Sequence, residues 1–388
     1  MQRSTNRLVS LFILLALISG SAFGTTHRKK RRRASAPVVS SELPVVPVAH
    51  AVAKNIPGGP WKTPTFADST VGDSIDGEDL MARRAAVQAL GPYNGTVVVA
   101  DPTNGRILTI VNQKLAYQNG FEPCSTIKIV AALAGLQEGI LQNQNTLFHV
   151  TRRQTISLTQ ALAHSSNQFF AAVGAKLGFD KIAEYAHRFG LGEKAGLNLD
   201  AEQPGSVASA PPDDGIGMMT SFGEGIYMTP LELTAIVSAV ANGGTLYYLQ
   251  HPRSQQEINE FAPRVKRQLD ISQWVPEIKP GLMGAVEYGT ARRANFDPSE
   301  PIFGKTGTCT DTRSPTHLGW FGSYNEFAEH KLVVVVLLTG GHVVSGPFAS
   351  GVAGAVYKNL AEENYYVRPL STIPIALIAP QFSLPGIR

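Results

Sequence analysis

A hydroxyl and an amine stand three residues apart in Ser125-Thr126-Ile127-Lys128. On a helix that spacing sets both side chains on one face, a turn apart, where an uncharged lysine can take the serine proton and release a nucleophile. Lysine loses its charge near neutral pH only when burial or a nearby cation lowers its pKa, so the chemistry requires a buried, cation-flanked setting. By composition an S-x-x-K arises about once in a chain of this length, and a solvated Ser and Lys satisfy it equally well. Ser165-Ser166-Asn167 adds a second hydroxyl, suited to relaying a proton to a leaving amine. Its amide can bond both a substrate carbonyl and a lysine. The same letters also describe a helix cap, since a helical pattern follows from residue 167 to 177. A second match, Ser323-Tyr324-Asn325, falls where a hairpin turn is expected and is set aside. Lys305-Thr306-Gly307-Thr308 supplies a cation, hydroxyls and a glycine-opened backbone, which together can receive an anionic acyl donor along a strand edge. A plain strand that carries these letters by chance is the alternative.

The elements around these residues are of the kinds the chemistry needs. Residues 96–111 (TVVVADPTNGRILTIV) form two β-branched runs about Pro102-Thr103-Asn104-Gly105, the pattern of a hairpin. Ser125 to about Ile140 has helical spacing with Ser125 in the first turn, and helical segments follow near 156–163, 167–177 and 179–189. Thr229-Pro230 opens another helix that stops at Asn242-Gly243-Gly244. Strands return at 302–309, 317–324 and 331–339, before a last helix near 347–363. Short-looped consecutive strands imply antiparallel pairing. The expected fold is therefore α+β, an antiparallel sheet with helices packed on it and a helical subdomain inserted between its halves. Trp320 and Phe321 are expected as core, and His317 and His342 as strand-end packing.

Composition bounds the rest. The 388 residues, 43% apolar, suffice for a large buried core. The first residues carry an apolar run from Leu8 to about Ile18 and small residues to Gly24, which fits a secretory signal over 1–24 that is too short to span a bilayer comfortably. Arg28 to Arg33 add six positive charges where they resist translocation, and they exceed the formal net charge of +4. The remainder is thus slightly acidic. The basic run is taken as part of a Pro/Ala-rich linker over 25–85 rather than a nucleic-acid contact. A single catalytic-sized domain is expected over 86–365, with a Pro-rich tail over 366–388. Two cysteines exclude a disulfide scaffold, and nine histidines without paired ligand spacing give no metal or cofactor signature.

The order S-x-x-K, S-x-N, K-T-G on helix start, inter-helix turn and strand resembles the penicillin-binding proteins and serine β-lactamases. The similarity extends over roughly residues 90–365. It includes SSNQFFAAVGAKLGFDKIAEYAHRFGLGEKAGLNLDAEQPG, SFGEGIYMTPLELTAIVSAVANGG, and GTARRA followed by FGKTGTCTD. These look most like the class B D,D-transpeptidase domain, here without the N-terminal module usual in that group. The resemblance implies a five-stranded sheet and a role for each motif position. Ser125 attacks the D-Ala-D-Ala carbonyl of a peptidoglycan stem, Lys128 is the general base, and Ser165 with Lys305 passes the proton to the departing D-Ala. Asn167 orients Lys128 and the substrate amide, Thr306 and Thr308 beside Gly307 hold the terminal carboxylate, and the backbone N–H groups of Ser125 and Thr308 form the oxyanion hole. β-Lactam antibiotics would acylate Ser125, and a cell-wall synthesis complex is the implied partner. The implied location is the periplasm or cell envelope, with an uncleaved signal as one route to membrane retention.

Three rivals share the chemistry. A class A β-lactamase carries Glu-x-x-Leu-Asn, and Glu193 to Asn198 is one residue too long for it. A class D enzyme usually carries Ser-x-Val where Asn167 stands. A D,D-carboxypeptidase or endopeptidase differs only in using water as acceptor, and a sensor or scaffold would acylate without turnover. Strand alternation places Lys305, Gly307 and Cys309 on one face, and the resemblance sets that strand beside the Ser125 helix. Cys124 and Cys309 are therefore a candidate disulfide, against two small buried thiols.

Overall fold

The run Lys331 to Thr339 is almost unbroken in apolar residues, a pattern that suits a strand covered on both faces. In a computed structural model, which describes residues 61–197, 199–311, 313–326, 330–367 and 374–376, that is its place. In chain order the main elements are α1 (Leu80–Leu90), β1 (Gly95–Ala100), β2 (Ile107–Val111), a 3-10 turn Cys124–Ile127 that runs into α2 (Lys128–Gln137), α3 (Leu158–Ala163), α4 (Asn167–Leu177), α5 (Phe179–Arg188), α6 (Ile216–Phe222) and α7 (Pro230–Ala241). Then come α8 (Val275–Glu287), β3 (Ile302–Asp311), β4 (Thr316–Asn325), β5 (Val333–Gly340) and α9 (Gly346–Glu362). The five strands form one antiparallel sheet in the order β2-β1-β5-β4-β3, with Val97 opposite Val336 and Trp320 opposite Gly307. Three short two-stranded pairs decorate the helical part.

Period-2 alternation splits the strand side chains between two cores. Val98, Trp320, Val335 and Leu337 pack with α2, α4 and α7 through Leu133, Phe170 and Val237. Val97, Phe321, Val336 and Leu338 pack with α1 and α9 through Ala82, Leu90, Tyr357 and Leu360. Each wholly buried Val or Leu contributes about 1.5–3 kcal/mol. Both layers thus hold β5 rigidly, and through β4 they hold the edge strand β3. α7 starts on a reciprocal cap: Glu232 N–H donates to Thr229 Oγ1 and Thr229 N–H to Glu232 Oε2, with Pro230 in the first turn. Glu232 Oε1 also accepts from the amides of Gly192 and Gly205, so one carboxylate ties three loops together.

Three expectations change. Ser323, Tyr324 and Asn325 lie at the end of β4, not in a turn, and are buried, with Ser323 Oγ donating to the Val334 carbonyl. The linker does not extend to residue 85. Asp79 caps α1 through the Met81 and Ala82 amides, wholly buried Glu78 accepts from Ile110 N–H and Thr109 Oγ1, and Thr65 Oγ1 accepts from Gly341 N–H. Side chain–backbone bonds of this kind hold irregular chain without leaving a periodic apolar pattern, which is why the segment passed for tether. The tail is not wholly an appendage either, since Pro374 and Ala376 exchange backbone hydrogen bonds with residues 77–80. The signal at 1–24, the basic run and most of the tail lie outside the described residues. Among those described, no helix is long and apolar enough to cross a membrane.

Candidate active site

Ser125 sits in the 3-10 turn that precedes α2, and Lys128 is the first residue of that helix. Their side chains meet as the spacing predicts, with Lys128 Nζ 2.9 Å from Ser125 Oγ. Nζ also lies 2.6 Å from Asn167 Oδ1, 2.9 Å from the Ser165 carbonyl and 3.1 Å from Ser165 Oγ. Lys128 is wholly buried, and its pKa is pushed down to about 6, first by burial and second by the Lys305 charge. A neutral amine has two protons and one lone pair. It can donate to Asn167 Oδ1 and the Ser165 carbonyl while its lone pair faces the Ser125 hydroxyl, the arrangement a base requires. The Phe170 ring, 5.7 Å from Nζ, walls the amine from water.

Ser165 and Asn167 do not cap α4. Ser166 does, its hydroxyl accepting from Phe169 N–H. Ser165 and Asn167 instead turn toward Lys128. Ser165 has φ 57° and Cys124 has φ 49°, left-handed conformations that cost a non-glycine residue about 1–3 kcal/mol each. Both strained residues adjoin or belong to the cluster around Lys128.

Strand β3 passes directly against the nucleophile turn. A Cβ on Gly307 would lie 2.9 Å from the Pro123 carbonyl and 3.2 Å from Cys124 Cβ, so only glycine permits the approach. Cys124 and Cys309 are joined as a disulfide that links turn and strand across 185 residues of sequence. Lys305 is wholly buried and its pKa is pushed down to about 7 by that burial. Its Nζ bonds the Thr306 carbonyl at 3.1 Å, and a Ser165–Lys305 hydrogen bond is absent among the described residues. Thr306 and Thr308 project to the strand face opposite Gly307. Thr306 Oγ1 is 2.6 Å from Thr290 Oγ1, and Thr308 Oγ1 accepts from Gly346 N–H at 2.8 Å. Because β3 is the sheet edge, its backbone groups turned away from β4 have no strand partner among the described residues.

Sequence reasoning assigned no part to two neighbours. The Ser221 carbonyl accepts weakly from Ser125 Oγ at 3.4 Å, and Thr290 meets Thr306 of the third motif while its N–H bonds the Ala163 carbonyl just ahead of the second. Ser221 lies in the SFGEG stretch and Thr290 in GTARRA, so the signal was present as segments but not as residues. Glu193 is held by Lys266 at 2.7 Å and Arg267 at 2.9 Å. Trp320 donates its indole N–H to the Glu122 carbonyl, behind the nucleophile turn. The described residues contain no group of three ligating side chains placed to hold a metal ion.

Comparison with known proteins bears on the same residues. The family model for the penicillin binding protein transpeptidase domain matches residues 95–362. Stage V sporulation protein D of Bacillus subtilis is 27% identical over 264 residues, covering 59% of this chain and 40% of that protein. Peptidoglycan D,D-transpeptidase PbpA of Mycobacterium tuberculosis is 22% identical over 331 residues, 69% of this chain and 67% of that one. Against several of these relatives, the B. subtilis proteins among them, the chain spans about two fifths of their length. A crystal structure of PBPA from M. tuberculosis superposes with a TM-score of 0.61 at 20% identity, covering 72% of this chain and 80% of that one, and shares the fold.

Proposed function

The chain belongs to the penicillin-binding protein transpeptidase family, and from that premise we propose that it cross-links peptidoglycan stem peptides through an acyl-enzyme on Ser125 and is inhibited when β-lactams acylate the same hydroxyl. The observation that carries the proposal is the enclosed contact between Ser125 Oγ and a lysine held down to about 6. In this scheme Lys128 takes the Ser125 proton as Oγ attacks the D-Ala-D-Ala carbonyl. The new oxyanion is received by the Ser125 and Thr308 backbone N–H groups, each donor contributing about 3 kcal/mol in comparable sites. Ser165 and Lys305 return the proton to the departing D-Ala, which requires the relay to close on substrate binding, since those two side chains are not bonded in the free enzyme. Asn167 orients Lys128 and the substrate amide. Thr306 and Thr308, beside Gly307, hold the terminal carboxylate, and an amine from a neighbouring stem then resolves the acyl-enzyme.

The remaining assignments belong to the same proposal. The catalytic domain is exported to the cell envelope behind a signal at 1–24 and a basic linker, faces the periplasm, and works within a cell-wall synthesis complex. The test is incubation of the purified chain with labelled penicillin beside Ser125→Ala, followed by intact mass over hours. A stable adduct on the wild type and none on the variant is expected, as is cross-linked dimer when a D-Ala-D-Ala peptide and an amine acceptor replace penicillin. Rapid loss of the adduct with penicilloate release would indicate a β-lactamase, release of D-Ala without dimer a carboxypeptidase, and no adduct at all would end the proposal.

A further inference from the structure

We infer that Thr290, just beyond α8, is a positioning residue for recognition of the substrate carboxylate: its hydroxyl aims that of Thr306, while its backbone amide fixes the turn that carries Ser165. The inference rests on the carboxylate role proposed above for Thr306. The two hydroxyl oxygens are 2.6 Å apart, a separation that places one shared proton between them. Thr306 is 4% exposed, and α9 starts directly against it: a Cβ on Gly346 would lie 2.7 Å from Thr306 Cβ. The hydroxyl thus has few directions open to it.

A hydroxyl carries one proton. When Thr306 gives its proton to Thr290, none is left for an anion, and a lone pair faces the carboxylate instead. A carboxylate is bound well only when Thr290 donates to Thr306 and Thr306 donates onward, a chain whose two bonds polarise each other. Thr290 therefore decides whether Thr306 meets the substrate with a proton or with a lone pair.

The same segment also spans the cleft. Thr290 N–H donates to the Ala163 carbonyl at 3.1 Å, two residues before Ser165. Gly289 passes so near that carbonyl that a Cβ would lie 2.1 Å from it, and the Tyr288 ring lies 5.6 Å from that of His164. Three consecutive residues hold Ala163 and His164, directly ahead of the second motif, while the last of them touches the third. Since Lys305 and Ser165 share no hydrogen bond among the described residues, segment 288–290 is a physical link between the strand and the turn.

The experiment compares second-order acylation by one β-lactam as its free carboxylate and as its methyl ester, in the wild type, Thr290→Val, Thr290→Ser and Thr306→Val. Valine keeps the shape and the backbone N–H but removes the hydroxyl. Thr290→Val leaves Thr306 its proton but removes the donor that aims and polarises it, so it is expected to lose about fivefold against the carboxylate, the scale of one neutral hydrogen bond, and to match the wild type against the ester. Thr290→Ser should restore the carboxylate rate, and Thr306→Val should show at least the same selective loss. Because each comparison is a ratio within one preparation, a partly unfolded variant does not blur it. Equal loss on both ligands, or no loss on the carboxylate, overturns the inference. If Thr306→Val discriminates and Thr290→Val does not, the Thr290 inference alone fails. If Thr306→Val does not discriminate, the carboxylate role of Thr306 falls and takes the inference with it.

Discussion

If Lys128 is the base, acylation by a β-lactam must follow the fraction of enzyme in which its amine is uncharged, and the fold sets where that fraction changes. Burial, then the Lys305 charge, holds Lys128 down to about 6 against an ordinary lysine value of 10.5. Second-order acylation constants report the free enzyme, so the acid limb should be centred near 6; the uncharged Lys128 fraction falls about tenfold between pH 7 and pH 5, and the rate about fivefold, because Lys305 is already half neutral at pH 7. Lys305, held down to about 7 by burial, must be charged to attract the carboxylate and complete the relay, which gives an alkaline limb and a maximum between the two values. A lysine at its ordinary value would instead give a rate rising about tenfold per pH unit well past neutrality. Lys305→Met separates the causes. It removes the second-ranked perturber and leaves burial, so the Lys128 value should rise and the acid limb should move to higher pH, while the alkaline limb disappears. The assay is a labelled-penicillin time course at constant ionic strength from about pH 4.5 to 9, a range that brackets both limbs. A wild-type profile flat through the acid range, or an acid limb unmoved in Lys305→Met, would refute the assignment of Lys128 as a base tuned by its neighbour.

Two further outcomes concern stability. The Cys124–Cys309 bond closes a loop of 185 residues, for which chain entropy alone gives about 5 kcal/mol, so Cys124→Ser/Cys309→Ser should lower the urea unfolding free energy by several kcal/mol. The same variant should acylate more slowly, since the left-handed Cys124 turn loses its tether to β3; a change in stability below about 1 kcal/mol would show that other contacts already constrain this loop. His251 is buried beside Glu78, and its pKa is pushed down to about 3, first by burial and then by Arg253, Arg106 and Arg83. A folded value below the unfolded 6.5 means stability that is present above 6.5 and lost as pH falls toward 3, which by pH 5 amounts to about 2 kcal/mol. Glu78, raised by burial, has the opposite slope, so the measurement is the pH 7 to pH 5 drop in wild type minus that in His251→Gln. Equal drops would show that His251 does not carry the acid sensitivity.

Much of the frame was legible because its residues carry local signals. Thr229-Pro230 with Glu232 is a complete start signal for α7, and the valine run of β5 required cover on both faces. α1 gave almost no signal: its buried face is Met81, Ala82, Ala85, Ala86 and Leu90, mostly small residues, with Arg83 buried among them. α8 was obscured by Pro276 and Pro280, although the bond that Pro280 cannot make would go to the Pro276 carbonyl in the first turn, where neighbours compensate readily.

At the site, what could be read was identity, and what could not was closure. Ser125, Lys128, Asn167 and Lys305 are named by side-chain chemistry, and chemistry is local. The left-handed φ of Cys124 and Ser165 is a property of chain segments brought together from far apart. Neither residue type favours that conformation, so no propensity announces it. It persists because the surroundings over-determine it: a disulfide to β3 at Cys124, and at Ser165 the Ser166 cap behind and the Lys128 amine in front. The strain therefore sits where the two halves of the cleft must meet. A substitution that relaxes either residue, such as Ser165→Gly, tolerates the backbone and removes the hydroxyl, whereas loss of the disulfide keeps every catalytic side chain and releases the backbone. Comparing the acylation rates of those two variants separates what the side chains contribute from what their enforced geometry contributes.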